Sequence, residues 1–425
     1  MLDIKFIREN PDLVRKGLSN KNAKDIVDEV IALDEERRSF IAKTEDLKAK
    51  KNQVSSQIPQ LKKAGQDTSA IFAEMKRVGD EIALLDGQLN DVESKLEGIL
   101  RNTPNIAHSS VPVGKTAEDN VEVCRWLPEG FTFENDFKVL DHVELGKKLS
   151  LLDFERGTKI SGSGFPLYTG KGASLERGLI NFMLDFHLQN HGYTEIMPPI
   201  LVNRESMLGT GQIPKMEEDM YLIEKDGLYP IPTAEVPITN IHREEILQEK
   251  DLTIKYVGYS PCFRREAGSY GKESKGFLRV HQFNKVEMVK FAKPDNSYDE
   301  LEAMVKDAED ILQALNVPYR ILMLCTGDLS FSAAKCYDIE TWSPAENKWL
   351  EASSCSNFEA FQARRANIRF RREETKKNEF IHTLNGSGLA TSRLMVSLLE
   401  NNQTPEGKVV VPKALQKYTG FEIIG

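Results

Sequence analysis

The feature of the sequence that most constrains its fold is a pair of long heptad repeats in the first hundred residues. Within 71–99 every seam position is apolar, and within 30–61 one of the two seam rows is wholly apolar. Apolar residues at alternate steps of three and four lie along one seam of a helix, which is typical of a coiled coil. Between the runs, Gly65 and Asp67-Thr68-Ser69 supply a helix stop and a helix cap. The sequence therefore predicts two long helices.

The connection between these helices is so short that they must run antiparallel. A helix of about 35 residues is roughly 50 Å long at a rise of 1.5 Å per residue, which is more than the width of a small domain. We therefore expect a helical hairpin, a coiled-coil arm of about residues 28–100, that projects into solvent.

The first helix of this arm is basic, whereas the whole chain is acidic. The 56 Lys and Arg residues are outnumbered by 65 Asp and Glu residues, which gives a formal net charge of -9. Residues 36–63, in contrast, hold eight basic residues and three acidic ones. Two interpretations stay open: a dimerisation or spacer coiled coil with a solvated face, or an arm that contacts a polyanion. The candidate contacts for the second are Lys43, Lys48, Lys50 and Lys51.

Length and composition indicate a globular protein of two or three domains. Of its 425 residues, 40% are hydrophobic and 28% are charged, which are ordinary globular values. The five cysteines form no CxxC pair and no zinc-ligand spacing, so we expect no zinc. No run approaches the roughly 18 apolar residues of a membrane span, and the N terminus does not lead into an apolar secretory segment. We expect a cytoplasmic protein without a membrane partner.

A linker rich in Pro, Ser, Asn and Gly follows residue 101, and the remainder of the chain predicts an α+β body. Helical periodicity occurs at 175–190 and 298–315, and β-rich runs occur at 253–263, 280–292, 319–324 and 336–343. Because strands do not alternate regularly with helices, we expect a mostly antiparallel sheet flanked by helices. The chain has no Walker A pattern and no GxGxxG after a strand. A nucleotide would therefore need another kind of phosphate contact.

Two short segments supply such a contact. Phe263-Arg264-Arg265-Glu266 follows a predicted strand, and the Gly-rich stretch 267–277 separates it from Arg279 and Phe283. An arginine fork binds phosphate with two hydrogen bonds and also stacks on aromatic or purine faces. Taken alone, the first segment is equally compatible with an exposed strand end. The pairing of both segments favours a pocket with a phosphate clamp, an acceptor for an adenine amine and a stacking ring.

These segments resemble a signature of the class II aminoacyl-tRNA synthetases, Arg-x-Glu followed by a variable loop and Arg-x-x-x-Phe. Two further class signatures occur in order, at 192–199 and at 385–394. They lie within segments of about 175–201 for motif 1, 257–290 for motif 2 and 383–400 for motif 3. Within the class, the chain is similar nearly end to end to the seryl-tRNA synthetases of bacterial type. One departure is Ala390-Thr391-Ser392-Arg393, where the family is usually closer to Ala-Val-Gly-Arg.

The resemblance implies two domains, an N-terminal tRNA-binding domain at 1–102 and a class II catalytic domain at 103–425. It implies activation of L-serine by ATP to seryl-adenylate and transfer of serine to tRNA(Ser), while charging of tRNA(Sec) stays open. Arg264 and Arg393 would be catalytic, holding the α-phosphate and the distal phosphates. Mg²⁺ would be bound by Glu351 and Ser354, which offer the hard oxygen ligands that it prefers. The implied ATP-binding residues are Arg264, Arg265, Glu266, Val280, Phe283, Glu351, Ala352, Ser353, Ser354 and Arg393.

Serine selection requires a polar partner for the substrate hydroxyl, since alanine and glycine fit any serine pocket. Such a partner rejects the smaller amino acids because it is left unpaired when the hydroxyl is missing. The resemblance implies that Glu287 has this role. The implied serine-binding residues are Thr233, Ala234, Glu235, Arg264, Glu287, Asn385 and Ser387.

A homodimer is also expected, because the resemblance makes 175–201 the dimer element and the helix at 175–190 is too apolar to face water. Two other classes of protein compete with the ligase. One is a truncated paralogue that passes a small amino acid to a carrier protein, but such paralogues lack the long arm. The other is a non-enzymatic RNA-binding protein with a dead synthetase fold. Against it, Arg264, Glu287, Glu351 and Arg393 are all present.

Overall fold

The computed structural model describes residues 1–65, 67–267 and 276–425, and it divides into two compact units, Met1–Pro104 and Asn105–Gly425. The first unit is helical. Its helices are α1 (Ile4–Glu9), α2 (Pro11–Asn20), α3 (Val27–Lys63) and α4 (Ser69–Arg101).

Helices α3 and α4 form the predicted hairpin. Cross-helix ion pairs join Arg37 to Glu93 at 2.9 Å and Lys48 to Asp86 at 3.6 Å, the pairing of an antiparallel arrangement. Every predicted seam position of both helices is buried or partly buried. Gly65 has a φ of +69° after α3, and the Asp67 carboxylate accepts from the Ser69 backbone N–H at 2.9 Å where α4 begins. The heptad pattern and the stop and cap residues therefore act as predicted.

The second unit contains an eight-stranded sheet in the order β1-β8-β9-β10-β13-β7-β6-β2. Its neighbouring strands pair antiparallel except β2 and β6, which are parallel. The strands of this unit are β1 (Val121–Trp126), β2 (Thr194–Glu195), β3 (Leu201–Val202), β4 (Tyr229–Pro230), β5 (Ile246–Gln248), β6 (Ile254–Phe263), β7 (Gln282–Ala292), β8 (Tyr319–Met323), β9 (Lys335–Ser343), β10 (Lys348–Asn357), β11 (Arg369–Arg371), β12 (Asn378–Phe380), β13 (His382–Ala390), β14 (Val409–Val410) and β15 (Ile423–Ile424).

Helices pack on this sheet and complete the core. Buried side chains of the longest helices, such as Leu179, Met304 and Leu398, join sheet residues in one hydrophobic cluster. The helices are α5 (His142–Lys148), α6 (Phe154–Ser161), α7 (Gly170–Asn190), α8 (Arg204–Thr210), α9 (Glu235–Thr239), α10 (Ser297–Ala314), α11 (Phe361–Ala366), α12 (Thr391–Asn401) and α13 (Lys413–Thr419). The predicted class, α+β with a helical hairpin and a mostly antiparallel sheet, is confirmed.

Two sequence expectations need revision. No strand was expected at 348–357, where β10 forms, because its run of Ala and Ser has little intrinsic preference for a strand. The apolar character of the helix at 175–190 does not require a dimer either, since Leu175, Leu179 and Met183 of α7 are buried within a single chain. Most of the Gly-rich stretch 267–277 lies outside the described residues. In the described part of the chain, no helix is both long and apolar enough to cross a membrane.

The two central strands of the sheet, β10 and β13, each have a β-bulge, and the two bulges lie next to each other. The ladder of β10 with β9 shifts register between Glu351 and Ser353, and that of β13 with β7 shifts between Ser387 and Leu389. Such bulges bend a strand and redirect its side chains, and they are common next to active sites. The sheet is therefore deformed where the predicted site residues lie.

Candidate active site

A cavity of about 670 Å³ opens over the deformed part of the sheet. Most of the residues implied for ATP and serine line it, although they are spread over more than 150 positions of the sequence. Those lining it are Thr233, Glu235, Arg264, Glu266, Val280, Phe283, Glu287, Glu351, Ala352, Ser353, Ser354, Asn385, Ser387 and Arg393.

One end of the cavity is formed by β6, β7 and the residues next to them. The Arg264 guanidinium lies over the Phe283 ring, 5.2 Å from its centroid, and its Nε donates to the Pro232 carbonyl at 3.3 Å. Arg279 Nη1 donates to Glu266 Oε2 at 3.0 Å. The Arg, the carboxylate and the ring predicted to contact a nucleotide are thus brought together.

The junction where β13 leads into α12 also lines the cavity. Arg393 Nη1 donates to the backbone carbonyl of Glu351 at 2.9 Å and to its Oε2 at 3.1 Å. Glu351 lies on β10 with nearly half of its side chain exposed, so this ion pair faces solvent. A phosphate entering the cavity can reach the Arg393 guanidinium without passing through buried protein.

Ser354 and Glu351 supply hard oxygen donors beside Arg393. A further carboxylate, that of Asp338 on β9, lies next to them, because Asp338 pairs with Ser354 across the ladder. Burial, and then the nearby Glu351 carboxylate, raise the pKa of Asp338 well above its usual value. In the described residues, no group of three or more His, Cys, Asp or Glu side chains is arranged for a metal ion. Glu351 and Ser354 nevertheless fit Mg²⁺, which is commonly held by one or two protein oxygens together with substrate phosphates.

The floor of the cavity holds a buried charged cluster. Glu287 is 1% exposed, and its Oε2 lies 2.5 Å from Lys285 Nζ and accepts from the Thr233 hydroxyl at 3.1 Å. Ser387 of β13 pairs directly with Glu287 of β7 across the ladder. Glu287 is therefore buried, and its charge is balanced by a lysine.

A second carboxylate, Glu235, lies beside this cluster. The amide of Gln362 donates to Glu235 Oε1 at 2.6 Å. Burial, and then repulsion from Glu287, raise the pKa of Glu235 to about 7. The cluster thus contains two carboxylates and one lysine, an arrangement that suits a further cation such as a substrate ammonium.

Known proteins resemble this chain over its whole length. Residues 1–107 match the family model described as seryl-tRNA synthetase N-terminal domain, and residues 220–402 match that of the tRNA synthetase class II core domain (G, H, P, S and T). The serine–tRNA ligase of Chloroherpeton thalassium is 60% identical over 429 residues, with 100% of both chains covered. The chain belongs to the seryl-tRNA synthetase family.

Solved structures agree with this assignment. A seryl-tRNA synthetase from Pyrococcus horikoshii in complex with ATP has a TM-score of 0.93 at 39% identity, covering 100% of this chain and 99% of that one. A cytoplasmic serine–tRNA ligase from Naegleria fowleri in complex with AMP has a TM-score of 0.86 at 31% identity, covering 100% of this chain and 98% of that one.

Two predicted site residues of this synthetase do not line the cavity. Arg265 Nη1 donates to the backbone carbonyl of Glu218 at 3.2 Å instead. Ala234 is fully buried in a hydrophobic cluster with Ile238 and Val289. Both lie directly beside residues that do line the cavity.

The synthetase site also contains residues to which the sequence analysis assigned no role. Lys285 lies two residues before Glu287 on β7, so both side chains are on the same face of the strand; that spacing was visible in the sequence. Gln362, in contrast, comes from α11 and contacts Glu235 across 127 positions. No local pattern indicates such a contact.

The departure at 390–393 is accommodated by a polar contact. Thr391 is the first residue of α12, and its hydroxyl donates to Glu176 Oε1 of α7 at 2.6 Å. The Asn284 amide donates to the same oxygen at 2.7 Å. Arg393, two residues further along α12, lines the cavity although the preceding residues differ from the usual pattern.

The arm of the synthetase offers fewer free cations than its composition suggests. Of the four lysines predicted to contact RNA, Lys48 pairs with Asp86 and Lys51 lies partly buried in the seam. Lys43 and Lys50 are exposed, and neither has a carboxylate partner among the described residues.

Proposed function

We propose that the cavity binds serine and ATP side by side, with Arg264 between them and Arg393 at the distal phosphates. As a member of its family, the chain is a serine–tRNA ligase, which activates serine with ATP and charges tRNA with it. The convergence of Arg264, Glu287 and Arg393 on one cavity carries the assignment of these roles.

The chemistry requires alignment and charge neutralisation more than proton transfer. A serine carboxylate oxygen forms a bond to the α-phosphorus of ATP, and the bond from that phosphorus to pyrophosphate breaks. A carboxylate needs no general base, so the protein accelerates the step by orienting both reactants and by placing cations around the phosphates. Arg264 would hold the α-phosphate in this arrangement. Phe283 would stack on the adenine, while Glu266, aligned by Arg279, would accept from its amine.

Bound Mg²⁺ would supply further neutralisation of phosphate charge. Glu351 and Ser354 would hold it, since both face the cavity beside Arg393. Of these, Glu351 is paired with Arg393 in the described structure. Competition between phosphate and Glu351 for Arg393 would free the Glu351 carboxylate for the ion.

Serine would be recognised by the buried charged cluster. Glu287 would accept from the serine hydroxyl, and Glu235 and Thr233 would contact its ammonium and carboxylate together with Ser387. Lys285 and Thr233 both contact Oε2 of the Glu287 carboxylate, so Oε1 would accept from a substrate. An amino acid without a hydroxyl would leave that buried capacity unused, which is the basis of discrimination.

ATP–pyrophosphate exchange tests this assignment. It is measured for each of the common amino acids, with and without tRNA. Exchange with serine alone, without a tRNA requirement, is expected for the activation half, and transfer to tRNA is measured separately by aminoacylation. Exchange that prefers another small amino acid, or product formed only on a carrier protein, would favour the paralogue.

We propose further that the arm binds the backbone of tRNA through Lys43 and Lys50. Replacing both by glutamine is expected to weaken tRNA binding and to flatten the slope of log K against log salt by about two, because each lost phosphate contact reduces it by about one. Lys48→Gln is the matched control, since this lysine already pairs with Asp86. Serine-dependent exchange stays unchanged in all these proteins. An unaltered slope in the double variant would assign the arm to a spacer.

A homodimer is the third proposal, supported by an exposed apolar sheet edge. Strand β2 ends the eight-stranded sheet, and Met197 beyond it is 93% exposed, followed by Ile200 at 39% and Leu201 at 41%. Pairing of this edge with that of a second copy would bury these side chains. Sedimentation is expected to give about twice the chain mass of 48.0 kDa, and Met197→Asp is expected to shift it toward the monomer. A wild-type monomer that activates serine would contradict the proposal.

We propose a cytoplasmic location, which is supported by the five free thiols, since this compartment keeps thiols reduced. Cell fractionation followed by the exchange assay tests this location, and activity confined to an oxidising compartment would refute it.

A further inference from the structure

A buried histidine–carboxylate pair lies outside the cavity and has no role in the chemistry described above. His142, the first residue of α5, is fully buried, and Glu400 of α12 is 2% exposed. Glu400 Oε1 lies 3.0 Å from His142 Nδ1 and accepts from the His142 backbone N–H at 3.0 Å. Its Oε2 accepts from the Ser343 hydroxyl at 2.5 Å. The same Oε2 also accepts from the backbone N–H of Ala345, which is partly buried, at 3.3 Å.

The contact of the other ring nitrogen, Nε2, determines which nitrogen of the His142 imidazole is protonated. The backbone N–H of Phe277 donates to His142 Nε2 at 3.2 Å. Because Nε2 accepts, it carries no proton, and Nδ1 must be the donor to Glu400. Glu400 therefore fixes the tautomer of His142, and that tautomer is the one that can hold the Phe277 backbone.

The segment held in this way forms a wall of the cavity. Phe277 itself is 1% exposed, and its ring packs against Tyr168 at 5.3 Å and His142 at 6.0 Å. Phe277, Leu278, Arg279 and Val280 all line the cavity. Two positions further along from Phe277, Arg279 makes the 3.0 Å hydrogen bond that aligns Glu266.

The approach of His142 to this segment leaves no room for adjustment. Gly276 has a φ of +60°, and a Cβ at this position would lie 2.2 Å from His142 Nε2. The histidine and the backbone are therefore in direct contact on both sides of the Gly276–Phe277 peptide bond. A change in the ring or in its protonation would displace the backbone that leads to Arg279.

We propose that His142 is a positioning residue for ATP binding. It holds the backbone of Phe277 and so keeps Arg279 in reach of Glu266, while Glu400 orients the imidazole from α12. The same helix carries Arg393, so the pair joins the adenine end of the site to the phosphate end. The inference rests on the proposed role of Glu266 at the adenine, and it predicts an effect on ATP and not on serine.

The test compares His142→Leu with His142→Gln in serine-dependent pyrophosphate exchange. Leucine fills the space without accepting a hydrogen bond, and the KM for ATP is expected to rise about 5- to 30-fold, the factor that corresponds to one buried hydrogen bond. The KM for serine is expected to change by less than about twofold, since the serine cluster does not contact His142. Glutamine carries both an acceptor and a donor, so His142→Gln is expected to restore most of the ATP affinity.

His382→Leu is the matched control. His382 is a partly buried histidine on β13 that bonds to the Ser297 hydroxyl at 2.8 Å. Its loss is expected to lower the unfolding temperature without raising the KM for ATP. If His142→Leu does not fold, Glu400→Gln, which removes the charge that fixes the tautomer, is expected to raise the KM for ATP instead.

Several results would overturn the proposal. One is an unchanged KM for ATP in His142→Leu, and another is an equal rise in its KM for serine. The others are a KM for ATP in His142→Gln as high as in His142→Leu, or the same rise in the KM for ATP in His382→Leu. Failure of the wild-type enzyme to exchange pyrophosphate with serine would instead refute the proposed function, so the two outcomes are distinguishable.

Discussion

Replacement of Glu287 by glutamine separates two roles that this carboxylate would have. The substitution keeps the size of the side chain but removes the charge that lies 2.5 Å from Lys285 Nζ. Both side chains are less than a tenth exposed, so the lysine would be left in the core without its partner. One effect concerns the stability of the fold, and the other concerns the substrate hydroxyl.

The expected loss of stability follows from the burial of the pair. Removing one partner of a buried ion pair costs about 3–5 kcal/mol, since the remaining charge is uncompensated. Glu235 lies close enough to interact with Lys285 and supplies part of the missing negative charge. We therefore expect a fall near the lower limit, about 3 kcal/mol in the free energy of unfolding.

The expected loss of activity follows from the hydrogen bond to the substrate. A hydrogen bond to a charged group contributes about 1.5–3 kcal/mol, which corresponds to about 10- to 150-fold in kcat/KM for serine. The kcat/KM for alanine should fall much less, because alanine has no hydroxyl and does not make this hydrogen bond in the parent enzyme. The KM for ATP should stay the same.

Urea unfolding and pyrophosphate exchange with serine and alanine measure the two effects. The double variant Lys285→Met, Glu287→Gln is the control: it removes both charges, so it should recover much of the stability but none of the preference for serine. Equal losses for serine and alanine in Glu287→Gln, or recovery of the preference in the double variant, would refute the assigned recognition role.

Two other predictions concern the phosphate contacts and the pH dependence of stability. Arg264→Ala and Arg393→Ala should each reduce pyrophosphate exchange about 30- to 1000-fold, or about 2–4 kcal/mol of transition-state stabilisation, with an unchanged circular dichroism spectrum; parental rates would make that arginine structural. For Glu235, the pKa of about 7 in the folded state exceeds the usual carboxyl value of 4.5, so the folded protein retains a proton that the unfolded chain has lost. This group should therefore lower the free energy of unfolding by about 3 kcal/mol as pH rises from about 4.5 to 7. Glu235→Gln should remove that dependence, and urea titrations that give the same pH profile for both proteins would contradict it.

Much of the fold was predictable because its signals are local. The seam of the arm repeats every seven residues, and its buried positions in α3 and α4 are the predicted ones. The predicted strands from 253–263 to 336–343 correspond to β6, β7, β8 and β9. Strand β10 was missed because small polar residues there indicate no regular structure by themselves. It forms because β9 and β13 on either side supply its hydrogen bonds.

The site was predictable where its residues are part of a pattern within one segment. Arg264, Glu266 and Phe283 belong to such a pattern, and Lys285 could have been added from its spacing to Glu287. For Arg265, the resemblance implied a contact with ATP, but successive side chains of an extended backbone point to opposite sides. Its guanidinium donates to the backbone carbonyl of Glu218.

The sequence by itself therefore determined the helical arm, the class of the sheet and the identity of the residues with suitable chemistry. Only the tertiary structure decided which of them meet and in what charge state. Glu235 has a pKa of about 7 because it is buried next to Glu287, 52 positions away. The tautomer of His142 is set by Glu400, 258 positions away. Burial and electrostatic interaction depend on distance in space, and no periodicity along the chain encodes that distance for residues so far apart.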